Sequence, residues 1–302
     1  MKTQPTAVSA IVAEIRDLCK EAHVDEQVRT GPQAIHPPSL IVTLLILKNL
    51  FGFNSERSFL RYLGKHHQKE FPSLPERSWF NRKAKSLVTT QQAVHELLLA
   101  KLGADQMTLR IVDTTPVPVV KLYRSKKCQS FVKKKEVAAG YCASKKMYYY
   151  GQKLTLLITA GGIPTGYALS PANHHDLRAF KEHFARLAPG LESKTLIADK
   201  GYYDGELEVE LEARWHTTLV VPEKKRHQKR NTKEEKTLLR KRGLIETVNH
   251  QLQDQMSIDE TRARSQAGLV TRIQSAILSF AFGIYWNQRT GRAPLALKSI
   301  LI

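Results

Sequence analysis

The chain has 302 residues, and 47 Lys and Arg against 28 Asp and Glu leave a formal net charge of +19. With 42% apolar and 25% charged residues it can bury a core and is not globally disordered. An excess of that size argues against an enzyme of small neutral metabolites and for a polyanionic partner, most often nucleic acid. Cys19, Cys128 and Cys142 form no CxxC pair and are odd in number, which speaks against a disulfide scaffold or a cysteine-rich zinc module and fits a reducing cytoplasm.

The length suggests two domains, or one large domain with an arm. Residues 6–21 carry Val8, Ile11, Val12, Ile15, Leu18 and Cys19 on one face and read as an amphipathic helix. Glu14 and Arg16 interrupt its apolar run, so it is no secretory leader. Gly31, Pro32, Pro37 and Pro38 mark a connector, and Ser39 is placed to cap a buried helix over 40–51. Asn54-Ser55 starts a helix bearing Phe59, Leu60 and Leu63, Pro72 and Pro75 break the chain, and 76–101 reads as one helix. The apolar stretches 40–47 and 276–286 fall short of the ~20 residues that span a bilayer and read as buried helices.

After Gly103 the pattern changes to strands. Residues 109–120 are β-branched and apolar, with Pro116 and Pro118 ending the strand or pushing it to an edge. Residues 147–159 and 163–170 form a hairpin around Gly161-Gly162, which is a turn and not a nucleotide loop. A helix follows over 174–188, a short buried strand over 195–199, a helix over 204–215 with Asp204 as N-cap, and a strand over 217–222. Helices over 234–256 and 266–287 complete the chain. The order β-β-β-α-β-α-β-α-α predicts an α/β fold, a ribonuclease-H-like mixed sheet flanked by helices. Its first and fourth strands would then be parallel neighbours.

Asp113 and Asp199 each follow a run of buried-type positions on those two strands. A buried carboxylate is costly unless paired or bound to a metal. The plain alternative for each is an Asp that caps a turn. Glu246 lies on the shoulder of the stripe Ile245, Val248, Leu252 and Met256; its plain alternative is a solvated glutamate paired with Arg242 one turn earlier. Three carboxylates without a histidine cluster suit Mg²⁺ or Mn²⁺, and two such ions can cleave or transfer a phosphodiester. His174, His175 and Asp176 read first as a helix start with Asn173 as N-cap. A metal site is the alternative, and a supporting or DNA-positioning role for His175 or Asp176 ranks above it.

Two basic runs flank this core. One holds Lys121, Arg124, Lys126, Lys127, Lys133, Lys134 and Lys135; the other includes Lys224, Lys225, Arg226, Lys229, Arg230 and Arg242. Both would leave the sheet near Asp113 and Glu246, which favours DNA-backbone contact over solvated loops. Tyr148, Tyr149 and Tyr150 read as cross-strand packing before a stacking platform, and Trp286 as core.

IVDTTPVPV (111–119), GYCASKKMYYYGQKL (140–154), SPANHHD (170–176), ADKGYYD (198–204) and RGLIETVNHQLQDQMSIDETRARS (242–265), in this order and spacing, resemble the DDE transposases of bacterial insertion sequences. The resemblance is strongest to the group numbered nine hundred and eighty-two. It implies that Asp113, Asp199 and Glu246 are the acidic triad holding two Mg²⁺ or Mn²⁺ ions. It also implies that Arg242 contacts DNA, with Lys200 and Gln253 beside it. Related groups often carry a Tyr three residues before that Arg and a Lys seven after the Glu, where this chain has Leu239 and Gln253.

The expectation is therefore a helical DNA-end-binding domain over 1–105 and a catalytic domain over 106–302. The resemblance implies binding to the element's terminal inverted repeats, metal-dependent cleavage and strand transfer. It implies double-stranded DNA as partner, a homo-oligomer assembled on DNA, a cytoplasmic, nucleoid-associated location and no membrane. A host nuclease on the same fold and a domesticated, non-catalytic DNA-binding protein are the alternatives.

Overall fold

The structure, a computed structural model, describes residues 7–26, 35–127, 131, 136–142, 146–223 and 231–300. The chain forms two compact units. One comprises Met1–Leu102, Asp254–Ile258 and Ala267–Ile302; the other comprises Gly103–Gln253 and Asp259–Gln266.

The first unit is helical. It contains α1 (Ala7–Glu21), α2 (Pro38–Leu50), α3 (Glu56–His66), α4 (Arg77–Ser86), α5 (Val88–Lys101) and the C-terminal helix, Gln266–Arg289 apart from its first residue. The expected apolar face of α1 is buried. Ser55 caps α3 by accepting from Ser58 N, as expected. Ser39 does not cap α2: Pro37 holds that position and Ser39 N donates to Asp25 Oδ1 at 2.8 Å. The expected single helix over 76–101 is broken at Leu87, whose φ of −108° and ψ of 21° leave the helical region.

The largest difference is at the C-terminus. Residues 267–300 group with the first hundred residues and not with the sheet, whereas the expectation places them with the sheet. The terminal helix runs 24 residues and is long and apolar enough to cross a membrane, but 83% of its most apolar stretch is buried in the protein. A helix apolar on nearly all sides must be enclosed by other helices. Within this unit Asn49 of α2 donates to Ser275 Oγ (3.3 Å) and Ser279 Oγ (3.0 Å), and Arg272 pairs with Glu56 at 3.2 Å.

Lys48 of α2 is the unit's misfit. Burial, then the nearby Arg272 charge, push its ammonium down to about 8, against a weaker opposing pull from Glu56. The folded chain gives up this proton before the unfolded chain does, so stability rises as pH climbs from about 8 towards the ordinary lysine value of ~10.4. Lys48→Met should therefore raise the melting temperature by roughly 2–5 °C at pH 7, and the gap should close near pH 10. Calorimetry at the two pH values checks this; equal gaps at both would exclude a buried cation as the cause.

The second unit is built on a mixed sheet of β1 (Leu109–Val120), β2 (Ala138–Cys142), β3 (Met147–Thr159), β4 (Pro164–Pro171), β5 (Thr195–Ile197) and β6 (Thr218–Val220). β3 is antiparallel to β1, while β5 is parallel to both β1 and β6. On its other edge β3 pairs first with β2 and then with β4. The order β4-β3-β1-β5-β6 is compatible with the expected ribonuclease-H-like arrangement. β2 was not expected; AAGYC is short and has no β-branched residue.

Pro116 and Pro118 do not end β1. They pair with Lys153 and Gly151 of β3. β5 pairs only with Leu109, Arg110 and Ile111, so beyond Ile111 the other side of β1 has no strand among the described residues. A proline without an N–H is tolerated on such an edge. Gly151 is needed opposite: a Cβ there would collide with the Val117 carbonyl.

Helices α6 (Asp176–Glu182), α7 (Phe184–Leu187) and α8 (Gly205–Trp215) bury Phe180, Leu187, Leu207 and Leu211 with Val112, Leu157, Leu196 and Leu219 of the sheet. Asp204 caps α8 by accepting from Glu206 N, as expected. The helix expected over 234–256 is two helices, α9 (Lys233–Arg240) and α10 (Gly243–Asp254). A tight turn separates them, in which Lys241 N and Arg242 N donate three residues back to Leu238 and Leu239. The terminal helix, Gln266–Arg289, is α11.

Candidate active site

Asp113 does not end its strand. It stands two residues beyond Ile111, the last position that β1 shares with β5, and Ile111 is in register with Ile197. Asp199 stands two residues beyond Ile197 and opens a 3-10 turn over 200–202. The two aspartates thus stand at one level of neighbouring parallel strands, Asp113 within β1 and Asp199 just past the end of β5. Glu246 comes from the first turn of α10, whose Ile245, Val248 and Leu252 are buried.

The three carboxylates line one cleft of about 560 Å³, together with Asp176, Arg242 and Gln253. Arg242 sits between two of them, with Nη1 4.0 Å from Asp199 Oδ1 and Nη2 3.5 Å from Glu246 Oε1. The turn between α9 and α10 puts it there. Asp176, the first residue of α6, accepts from Thr114 Oγ1 and Lys153 Nζ, both at 2.8 Å. Gln253 Nε2 donates to Thr115 Oγ1 at 2.6 Å, tying α10 to β1.

Burial pushes the Asp113 carboxyl up to about 6. A hydrogen bond from Thr114 N–H and the Arg242 charge oppose the rise, while the charges of Asp176 and Asp199 add to it. The donors are all carboxylate oxygens, the ligand type of Mg²⁺ and Mn²⁺, so this residue set fits a hard divalent ion by chemistry. Among the described residues no three His, Cys, Asp or Glu stand close enough together to hold a metal as they are.

Of the remaining candidates, His174 turns away to Glu182, with Nδ1 2.7 Å from Oε2. His175, and not Asn173, is the N-cap of α6; it is exposed and lies outside the cleft lining. Lys200 is exposed directly after Asp199. Lys126 is exposed in a 3-10 turn over 122–127 that also contains Lys127. Lys133, Lys134, Lys224, Lys225, Arg226, Lys229 and Arg230 lie outside the described residues. Lys153 was not anticipated, although a lone lysine in the apolar strand GQKLTLLIT was a visible signal.

Comparison with known proteins adds a family. Searches of curated proteins and of solved structures returned no match. A family model described as transposase DDE domain matches residues 104–281. The match spans more than half of the chain, including the whole sheet and every residue of the acidic cleft, and the chain therefore belongs to the transposase DDE domain family.

Proposed function

We propose that the protein is the transposase of a bacterial insertion sequence, akin to the group numbered nine hundred and eighty-two, with a ribonuclease-H-like catalytic core. It binds the element's terminal inverted repeats, cuts there, and joins the freed 3′ end to target DNA. The observation that carries this reading is the placement of Asp113 and Asp199 at one level of adjacent parallel strands, with Glu246 on the same cleft. Asp113, Asp199 and Glu246 would hold two Mg²⁺ or Mn²⁺ ions, which when bound supply the Lewis acid for phosphodiester hydrolysis and transesterification.

The carboxylates are ligands and not nucleophiles, so no covalent protein–DNA intermediate forms. Arg242 neutralises Asp199 and Glu246 in the free protein and turns to a DNA phosphate in the complex, a change suited to its planar fork of donors. Lys200, Gln253 and the two basic runs grip the backbone, and the helical region within 1–105 recognises the ends. The complex acts in the bacterial cytoplasm as a homo-oligomer on double-stranded DNA.

Incubation with linear DNA carrying the element's ends tests the reading. Strand cleavage at the ends is expected with Mg²⁺ or Mn²⁺, and full activity in excess chelator would rule the metal mechanism out. Arg242→Ala should lower cleavage about ten- to a hundredfold, the worth of a charge-assisted hydrogen bond, while changing DNA affinity much less. Equal losses in binding and cleavage would make Arg242 a general backbone contact.

A further inference from the structure

The β2–β3 hairpin displays aromatic rings that the fold does not use. Its inner face is tightly seated: Cys142 and Tyr149 are buried with Ala172, and a Cβ on Gly140 would stand 2.5 Å from the Ala172 carbonyl oxygen. On the outer face Tyr141 and Tyr148 are directly opposed in register, with ring centroids 4.8 Å apart. They remain 50% and 67% exposed. Cross-strand pairing accounts for the contact between the two rings, but it leaves half or more of each in water on a hairpin pinned from behind. Leu122, Tyr123 and Met147 are exposed as well, so most of the large apolar side chains exposed among the described residues fall within 122–148.

The setting names the occupant. The 3-10 turn bearing Tyr123 packs on β3, and the Arg124 guanidinium lies 5.4 Å from the Tyr123 ring centroid. Lys121, Arg124 and Lys126 are exposed there, with no acid in the run 121–135. Tyr141 also lines the acidic cleft. A second copy of a chain with net charge +19 would bring like charge to this patch. A nucleic-acid strand brings the opposite: phosphates for the cations and flat base faces for the rings.

We propose that Tyr141 and Tyr148 form a stacking platform for unpaired bases at a DNA end, beside the acidic cleft. This rests on the transposase reading and deepens it: the substrate is an end with splayed nucleotides, not only a continuous duplex. Stacking tolerates any base, so the platform positions a strand without reading its sequence.

The test uses the full chain in metal-free buffer, where no cleavage intervenes. Two probes share one arbitrary duplex, one blunt and one with a short single-stranded tail containing 2-aminopurine. The tailed probe should bind about tenfold tighter, and its 2-aminopurine fluorescence should be quenched on stacking. The Tyr141→Ala, Tyr148→Ala double variant should lose both the preference and the quench while keeping its affinity for the blunt duplex. The corresponding double Phe variant should keep both. Unchanged preference and quench in the Ala variant would overturn the proposal, as would a wild-type dimer that the Ala variant breaks. A chain that prefers the tail but cuts nothing loses only the transposase reading. A chain that cuts its ends yet binds both probes equally loses only the platform.

Discussion

Asp113→Asn is expected to abolish DNA cleavage and, in the same molecule, to stabilise the metal-free protein at pH 7 by about 2 kcal/mol. The activity loss should reach about a thousandfold or more, because a lost ligand removes several kcal/mol of transition-state stabilisation. The gain in stability has the same origin. Burial raises this carboxyl to about 6, and the Asp176 and Asp199 charges add to the rise. An ordinary unfolded Asp titrates near ~3.9, so at pH 7 the folded chain carries a charge it disfavours. Between about pH 4 and 6 the folded state binds the extra proton, and wild-type stability falls as pH rises through that window. The advantage of Asp113→Asn should therefore be full at pH 7 and vanish near pH 4. Glu246→Gln is the control: its side chain is 63% exposed, so cleavage should collapse with little change in stability. Denaturation at pH 4 and pH 7 beside a cleavage assay reads all of this. A metal-free Asp113→Asn protein no more stable than the parent at pH 7 would mean that the cleft carries no electrostatic strain.

What could be read from the residues follows from what each pattern encodes. Five of the six strands among the described residues are legible, because β-branched runs and alternation mark a strand whatever it pairs with. β2 is not, since its alternation of Gly140 and Cys142 against Tyr141 appears only once β3 lies beside it. Helical periodicity continues across Leu87 and across Lys241-Arg242, so both breaks were invisible. It also says that α11 is buried without saying among what, so periodicity alone does not place the C-terminal helix in either unit. At the site, Asp113 and Asp199 stood out as charges after apolar runs, but their common level needed the register of Ile111 with Ile197. Asp176 reads from the sequence first as a helix start, with a supporting or DNA-positioning role as an alternative. The long-range bonds from Thr114 and Lys153 place it at the cleft and separate it from His175.

Arg110→Met should destabilise the protein by about 3–5 kcal/mol, the largest loss expected from one side chain away from the cleft. Arg110 is only 1% exposed, one of the largest fully buried side chains among the described residues. Its Nε donates to Gly190 O (3.0 Å), Nη1 to Met107 O (2.6 Å) and Leu109 O (3.3 Å), and Nη2 to Ala104 O (2.9 Å). Burial lowers its pKa and the nearby Asp105 charge opposes this, yet a guanidinium stays charged at any ordinary pH. The side chain thus gathers carbonyls from the turn before β1 and from the loop before β5. Methionine fills much of the volume but returns none of the hydrogen bonds, and each orphaned buried carbonyl costs about 1–3 kcal/mol. Arg110→Lys should recover only part of the loss, because one ammonium cannot span carbonyls set out for a planar fork. Urea denaturation of the three proteins gives the order wild type, Lys, Met. A Met variant within about 1 kcal/mol of the parent would show that water satisfies those carbonyls instead. Arg110 lies three residues before Asp113 on the same strand and is in register with Leu196 of β5. The buried cation therefore gathers these carbonyls at the start of the β1–β5 pairing, and Asp113 and Asp199 stand just beyond its other end.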